Sequence, residues 1–366
     1  MKKYLALILA LAMILTMVAC GAKKEEAAGD GLKICIITSS GVDDGSFNEN
    51  CYDGIQAFIA EHPECTVTHV KEPDLEKLVP TVDEVAGDYD VFVLPGFNFA
   101  TVGDIAAANP EKKFIVVDST VTGADGTPMT LDNVYTMTFA EHQSAFPVGV
   151  AAALNSKSGK VAVVNGIAFP SNVNYQYGFT AGVQYANKVL GTDVECVEIA
   201  SYAGTDVLGN NVGGNYVGDF ADEATGKEVA KALLDQGVDV LFAAAGASGN
   251  GVMSAAKEAG VYFIGCDVDQ YDDCPDICLT STLKIMDANV QLQLNKILDG
   301  TFKGEDGYLD CNNNGVGYVS AEGRCKLDKD MIAAIDEAFK AVQSGDIVLP
   351  ADATVNEYTP DNYPGM

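Results

Sequence analysis

The stretch "KICIITSSGVDDGSFNENCYDGIQAFIAEH", residues 33–62, decides the fold of this chain. It opens on the apolar run "KICIIT", passes through a turn crowded with acidic and amide side chains, and continues with the spacing of a helix. A buried strand that leads directly into a helix is the repeating unit of α/β proteins. Such proteins bind ligands at the carboxyl ends of their strands. The turn "GVDDGSFNEN", residues 41–50, is therefore the first candidate for ligand contact.

The same strand-to-helix unit recurs along the chain. Later runs rich in Val and Ile end at Gly or Asp, with helical patterns between them: "YDVFVLPG", "KKFIVVD", "GKVAVVNG", "DVLFAAAG" and "VYFIGCD". The polar, Gly-rich stretch "TVTGADGTPMTLDN" divides the six strands into three and three. A chain of 366 residues is longer than a domain with a single hydrophobic core usually is. We therefore predict two doubly wound α/β lobes with a hinge and an interlobe cleft.

The carboxyl ends of the predicted strands supply the candidate site residues. Part of the polarity of the first turn is predicted to be structural, with Ser46 as a helix N-cap and Glu49 completing a capping box. The remaining positions predict a cleft lined by carboxylates, glycines and aromatic rings. They are residues 43–48, Gly96 and Asp118 in the first lobe, and residues 246–251 and Asp267 in the second.

The first twenty residues, "MKKYLALILALAMILTMVAC", carry two lysines, an apolar stretch and then a cysteine. An apolar core at the extreme N-terminus predicts a secretory signal and not a membrane span. The ending "MVAC" resembles the lipobox of bacterial lipoproteins, which predicts acylation of Cys20; the alternative is ordinary cleavage near Ala19. Residues 21–31 then form a flexible tether that holds the protein on the extracytoplasmic face of the cell membrane.

The charge balance excludes nucleic acid as a partner and indicates the charge of the ligand. With 52 acidic and 22 basic residues, the chain repels nucleic acid. Its single arginine is Arg324. Because a buried carboxylate or phosphate on a ligand is usually held by a guanidinium group, this scarcity favours a neutral ligand.

The number and spacing of the cysteines predict free thiols. We predict neither a metal ion nor any other cofactor. Ten cysteines in an exported chain suggest disulfides. The count left after Cys20 is odd, which favours buried free thiols, although pairing of Cys274 with Cys278 or of Cys311 with Cys325 stays open. No C-x-x-C occurs and the three histidines are scattered, so we predict no zinc.

Two short motifs tempt other assignments. The glycine-rich "GASGNG", residues 246–251, lacks the Lys-Ser/Thr pair of a phosphate loop, so we predict a tight turn after a strand. The stretch "DCNNNG", residues 310–315, starts like a calcium loop, but its twelfth position is Ala321, where calcium requires a carboxylate. An Asn-Gly hairpin turn is the better prediction.

Catalysis finds little support in the sequence. No histidine lies near a strand end, no G-x-S-x-G motif occurs, and the thiols lack an identifiable base. A hydrolase with Asp118 and Asp267 facing each other stays open as an alternative. An anchored, two-lobed, acidic export product favours capture of a ligand, so we predict a binding protein and not an enzyme.

Several motifs resemble, in order and spacing, the basic membrane protein family of bacterial lipoproteins. They include "ICIITSSGVDDGSFNENCYDGI", "NVYTMTFAEHQSAFPVGVAAAL", "DQGVDVLFAAAGASGNGVMSAAKEAGVYFIGCDVDQ" and "STLKIMDANVQLQLNKILDGTFKG". The resemblance implies the type I periplasmic binding protein fold. It also implies that residues 32–137 plus 268–304 form lobe 1, and that residues 138–267 plus 305–366 form lobe 2.

The resemblance implies a role for each site residue. Family members that bind nucleosides sandwich the base between aromatic rings and hold the ribose with acidic residues and a lysine. Tyr175 stands where the family usually has the phenylalanine of the second stacking face. Carried over, Phe47 stacks on the base, Asp44 and Asn48 read its edge, Asp118 and Lys284 reach the sugar, Gly246 offers backbone contacts and Asp267 accepts vicinal hydroxyls.

The resemblance therefore implies a lipid-anchored solute-binding protein of an ABC importer. Such a protein captures a nucleoside, with a purine as the favoured member, and delivers it to the permease subunits. A sugar or autoinducer binding protein of the same fold stays open, as does a sensor that presents its ligand to a receptor. "FAEHQSAFPVG" and "AFPSNVNY" depart from the usual family stretches.

Overall fold

The computed structural model describes residues 31–349. The predicted signal, the lipid attachment at Cys20 and the tether up to residue 30 lie outside the described residues. Within the described part, no helix is both long and apolar enough to cross a membrane.

Strands and helices alternate along the described chain. The first half contains β1 (Lys33–Thr38), α1 (Phe47–Glu61), β2 (Thr66–Lys71), α2 (Leu78–Val85), β3 (Val91–Pro95), α3 (Gly103–Ala108), β4 (Lys113–Val117), β5 (Val134–Phe139), α4 (Glu141–Asn155), β6 (Lys160–Asn165) and α5 (Pro170–Tyr185). The second half contains β7 (Glu195–Cys196), β8 (Gly204–Thr205), β9 (Asn211–Gly213), α6 (Glu223–Leu234), β10 (Val240–Ala244), α7 (Ser248–Ala259), β11 (Tyr262–Gly265), β12 (Cys278–Lys284), α8 (Met286–Leu298), β13 (Glu305–Leu309), β14 (Val316–Tyr318) and α9 (Lys329–Ser344).

The longer sheets each have six strands and define two lobes. The first sheet has the order β13-β5-β4-β3-β1-β2, and its strands all pair in parallel. The second has the order β14-β12-β11-β10-β6-β7, in which β14 alone runs antiparallel to its neighbour. The six apolar runs of the sequence lie in β1, β3 and β4 of one sheet and β6, β10 and β11 of the other. The predicted two-lobed α/β fold is confirmed.

The chain crosses between the lobes three times: between β5 and α4, between β12 and α8, and between β13 and β14. The predicted lobe boundaries need correction at two segments. Strand β12 lies inside the stretch assigned to lobe 1, yet it pairs with β11 and β14 of the second sheet. Strand β13 was assigned to lobe 2, yet it pairs with β5 of the first sheet. Main-chain pairing decides membership, and strand composition alone does not identify the neighbour.

Two predicted turns are present, one of them in an unexpected place. After β10 the chain turns at Gly246, which has a φ of 52° as a tight turn requires, and residues 248–251 of the glycine-rich stretch already form the first turn of α7. Residues 310–315 form a turn in which the side chain of Asp310 accepts hydrogen bonds from the backbone N–H groups of Asn312 and Asn313. This turn links strands of different sheets, so the predicted hairpin is wrong and the segment is the third crossing.

The cores are made of the inward faces of the helices and the buried strands. All nine cysteines of the described residues are free, and seven of them are buried. Neither Cys274 and Cys278 nor Cys311 and Cys325 are bonded to each other. Burial raises the pKa of the Cys311 thiol to about 11, so this thiol stays protonated. No cluster of His, Cys, Asp or Glu suited to a metal ion occurs in residues 31–349.

Candidate functional site

The lobes meet across a closed cleft at the carboxyl ends of their strands. The hydroxyl of Ser46 in the first lobe shares its one proton between the carbonyl oxygen of Cys266 at 3.2 Å and the carboxylate of Asp267 at 3.0 Å, both in the second lobe. In the opposite direction, the side-chain amide nitrogen of Gln270 in the second lobe donates to the carbonyl oxygen of Gly45 in the first at 3.1 Å. These contacts cover a cavity between the lobes. A cleft closed by contacts from both sides removes a bound ligand from water.

The structure places all eight predicted ligand-binding residues around this cavity. Most of them come from strand ends of both sheets or from the helix starts that follow, as parallel strand geometry requires, whereas Tyr175 lies within helix α5. They are Asp44, Phe47, Asn48, Asp118, Tyr175, Gly246, Asp267 and Lys284. That they bind a ligand remains a prediction.

A buried ion cluster forms the end of the cavity nearest the crossings. The ammonium nitrogen of Lys284 lies 2.6 Å from the Asp118 carboxylate and 3.0 Å from Oε1 of Glu141. The side chains are 1%, 7% and 3% exposed, respectively. Asp118 follows β4 with a φ of 64°, Glu141 opens α4 after the first crossing, and Lys284 ends β12 before the second. The cluster therefore joins both lobes at the hinge.

Aromatic rings surround the same ammonium group. Its nitrogen lies 5.2 Å from the ring centre of Phe47, 5.0 Å from that of Phe139 and 5.8 Å from that of Tyr175. Such cation–π contacts stabilise a desolvated cation. Lys284 was predicted to bind the sugar. It also contacts the ring of Phe47, which was predicted to stack on a base.

The charges of the cluster are set by burial and by each other. Burial raises the pKa of Asp118, Lys284 opposes this shift and Glu141 adds to it, and the resulting pKa is about 7. Burial alone lowers the pKa of Lys284, but the carboxylates of Asp118 and Glu141 raise it above its ordinary value. The lysine is therefore charged at neutral pH, and Asp118 is the group that titrates near neutrality.

Asp267 accepts hydrogen bonds from both lobes. It has a φ of 69°, and its side chain follows β11 into the cavity. The hydroxyl of Tyr175 donates to Oδ1 at 2.8 Å, and the hydroxyl of Ser46 donates to Oδ2 at 3.0 Å. The carboxylate predicted to hold vicinal hydroxyls thus holds two protein hydroxyls here.

Asp44 caps helix α1, so the predicted capping box is wrong. Its carboxylate accepts the backbone N–H groups of Ser46, Asn48 and Glu49 at 3.1, 3.1 and 3.0 Å. Ser46 makes no side-chain cap bond and points across the cleft, while Glu49 accepts the N–H of Gly45 at 2.8 Å. The positive φ of Gly45 turns the chain so that the earlier carboxylate lies beneath the free amides.

Asp44 and Asn48 differ in the capacity they keep for a ligand. Burial raises the pKa of Asp44, while its three backbone N–H donors lower it. With three donors already bound, the carboxylate has room for about one more. The amide nitrogen of Asn48 donates to the hydroxyl of Ser40 at 2.8 Å. The carboxamide of Asn48 is therefore held in one orientation by the first lobe.

The sequence missed a row of three rings that also line the cavity. Phe97 of the first lobe lies 5.2 Å from Phe169 of the second, and Phe169 lies 5.9 Å from Phe220, measured between ring centres. Phe97 follows Gly96 after β3, and Phe169 follows β6 within "AFPSNVNY". Their positions after strands are therefore a signal by which both could have been predicted. Phe220 lies in a loop before α6 and gives no sequence signal. Glu141 was also missed as a cleft residue, whereas Ser46 lies within the predicted cleft-lining residues 43–48.

Comparisons with known proteins agree with this architecture. A family model described as ABC transporter substrate-binding protein PnrA-like matches residues 32–206 and 210–348. Basic membrane protein A of Borreliella burgdorferi is 31% identical over 74% of this chain and 74% of its own length. The ABC transporter nucleoside-binding protein BmpA of Lactococcus lactis is 27% identical over 83% of this chain and 87% of its own length.

A solved structure extends the agreement to three dimensions. The crystal structure of an ABC transporter solute-binding protein from Aeropyrum pernix K1 superposes with a TM-score of 0.75 at 26% identity. It covers 88% of this chain and 94% of that chain. The family model, the relative from Lactococcus lactis and this solved structure are each described as a binding protein of an ABC transporter, which confirms the prediction of a binding protein and not an enzyme. The chain therefore belongs to the family of PnrA-like substrate-binding proteins of ABC transporters.

Proposed function

We propose that this protein captures a nucleoside, with a purine as the favoured member, and delivers it to the permease of an ABC importer. The cavity between the lobes carries this proposal, because it combines aromatic faces with buried hydrogen-bonding carboxylates. A nucleoside has a flat neutral base and a polyhydroxyl sugar, and these two chemistries match the two kinds of lining. The relative from Lactococcus lactis, which is named as nucleoside-binding, supports the same ligand class.

The energetics favour a neutral ligand with several hydroxyl groups. Stacking contributes about 1–3 kcal/mol per base. Hydrogen bonds to charged groups contribute roughly 1.5–3 kcal/mol each. Lys284 is the single basic side chain among the lining residues, and it is already paired with Asp118. A phosphorylated nucleotide meets Asp44, Asp118 and Asp267 without a free cation, so it is expected to bind poorly.

The sequence predicts where capture takes place. Acylation at Cys20 attaches the chain to the extracytoplasmic face of the cell membrane, and the following tether lets the lobes reach a permease. Mass spectrometry of the protein purified from membranes tests this point. A diacylglyceryl-modified chain beginning at Cys20 is expected; an unmodified chain beginning near that position contradicts the anchor.

Titration calorimetry against a panel of nucleosides, with free ribose as the control, tests the ligand class. We expect at least one nucleoside to bind with a dissociation constant in the micromolar range or below, while ribose gives no heat of binding. Binding of ribose without any nucleoside overturns the proposal and favours the sugar-binding alternative.

Phe47→Ala separates the two alternatives in a second way. A nucleoside that stacks on Phe47 loses affinity by roughly tenfold to a hundredfold, in line with the energy of one stacking face. A sugar has no π-face to lose. Tyr89, which is partly buried and does not line the cavity, provides the matched control variant Tyr89→Ala.

A further inference from the structure

The carboxylate of Asp267 is paired at both oxygens by hydroxyl groups of the protein itself. Tyr175 donates to Oδ1 at 2.8 Å and Ser46 donates to Oδ2 at 3.0 Å. The three residues are 7%, 3% and 4% exposed, in the order Asp267, Tyr175 and Ser46. A buried carboxylate is costly when it lacks donors, so these two bonds matter.

The two donors differ in how firmly they are fixed. Tyr175 lies on α5, in the same lobe as Asp267, and its ring packs edge-on against Phe242 at 5.8 Å between centres. Burial raises the pKa of the Tyr175 phenol well above its ordinary value, so the hydroxyl remains a donor. Ser46 belongs to the other lobe, and its bond exists only while the cleft is closed. Tyr175 is thus the permanent partner of Asp267.

This arrangement changes what a missing ligand hydroxyl costs. A site built to bind a substrate hydroxyl rejects an analogue that lacks it, because a buried polar group is left unpaired. Here Oδ1 of Asp267 keeps the Tyr175 hydroxyl whether or not a ligand supplies one. We infer that Tyr175 makes this cleft tolerant of deoxyribonucleosides, so that losing one of the two vicinal sugar hydroxyls weakens binding little.

This inference rests on the proposed nucleoside function and names its sugar specificity. The probes are the tightest-binding ribonucleoside among adenosine, guanosine, inosine, cytidine and uridine, and its 2′-deoxy and 3′-deoxy analogues. For each protein, titration calorimetry gives two affinity losses, one per analogue, and the smaller of them is the readout. For the unmodified sequence we expect a smaller loss of at most about fivefold, far below the loss at a site that depends on the hydroxyl.

Tyr175→Phe removes the hydroxyl and leaves the ring in place. Oδ1 of Asp267 then depends on the ligand for a donor, and the smaller loss is expected to grow at least about tenfold. Tyr185→Phe is the matched control, since Tyr185 lies on the same helix and does not line the cavity. Each ratio compares two ligands on one protein, so a reduced folded fraction cancels.

The outcomes separate this inference from the function on which it rests. If no nucleoside binds, both fall. If a ribonucleoside binds and both deoxy analogues bind more than fivefold more weakly, the inference falls while the nucleoside function stands. An equal ratio in the unmodified protein and in Tyr175→Phe also overturns it. If Tyr175→Phe fails to fold, the ratio measured on the unmodified protein still decides.

Discussion

The two ends of the cleft are built from different kinds of side chain. Near the crossings, Lys284, Asp118 and Glu141 form an ion cluster shielded from water. Farther from the crossings, on turns that follow β3 and β6, Phe97 and Phe169 place half-buried rings against each other across the lobes. One end is charged and shielded, and the other is apolar and partly exposed.

We expect the difference to follow from how far the lobes separate at each end when the cleft opens. Near the crossings the two lobes separate least, so a charged cluster there stays shielded and its desolvation need not be repeated at each closure. At the end farther from the crossings, we expect the lobes to separate most. Apolar rings gain free energy each time water leaves their surfaces and need no exact alignment to do so. We expect the charged end to set stability and the aromatic end to set affinity.

Lys284→Met is expected to have the largest effect. It leaves the buried carboxylates of Asp118 and Glu141 without a cation, and breaking a buried ion pair in this way costs about 3–5 kcal/mol of unfolding free energy. Urea denaturation measures the loss. The control Lys303→Met changes an exposed lysine and is expected to alter stability by less than about 0.5 kcal/mol. Equal effects of the two variants contradict a structural role for the cluster.

Asp118 is expected to give the stability of the charged end a pH dependence. Because burial raises its folded-state pKa to about 7, the folded protein binds a proton more tightly than the unfolded chain does. Its contribution is therefore most favourable below about pH 4 and is lost as the pH rises toward 7, by a few kcal/mol at most.

The difference in unfolding free energy between the unmodified protein and Asp118→Asn isolates this contribution. His142, whose pKa burial lowers to about 4, acts in the opposite direction between pH 4 and 6.5 in both proteins, so it cancels. A difference that does not change between pH 4 and 7 argues against the raised pKa.

Phe169→Ala tests the aromatic end. We expect affinity for the bound nucleoside to fall by about 1–2 kcal/mol, while the unfolding free energy changes by less than that, because the ring is half-buried. Calorimetry and urea denaturation give the two quantities. The control Tyr308→Ala alters an aromatic ring that is 50% exposed and does not line the cavity. A loss of stability without a loss of affinity would reverse the proposed division of roles.

A change in unfolding free energy is also expected at the turn before α1. Asp44→Ala removes the acceptor of three helix N–H groups and is expected to cost about 1–2 kcal/mol of unfolding free energy. Glu49→Gln retains a side-chain acceptor for the N–H of Gly45 and is expected to cost less. The reverse order would restore the capping role to Glu49.

Much of this architecture was predictable from local patterns. The runs that became β1, β3, β4, β6, β10 and β11 were visible because strands buried on both faces are continuously apolar. Strand-end positions such as Asp118 and Asp267 were visible because parallel strands share one carboxyl edge. Lys284 and Tyr175 entered through the family resemblance, and both line the same cavity.

The remainder depends on tertiary geometry. The sheets that β12 and β13 join are decided by pairing partners far away in the sequence, so the lobe boundaries were wrong there. The cap at α1 depends on the backbone turn at Gly45, which places Asp44 and not Ser46 beneath the amides. Phe220 reaches the cavity from an irregular loop, where no periodicity marks it.

The most direct test of nucleoside capture is the mass of the small molecule that copurifies with the protein. Freshly purified protein is denatured, and the released material is identified by mass spectrometry against the matched variant Phe47→Ala. We expect a nucleoside, most abundant from the unmodified sequence and depleted from the variant. Release of a free sugar in equal amounts from both proteins would contradict capture of a nucleoside in the cleft.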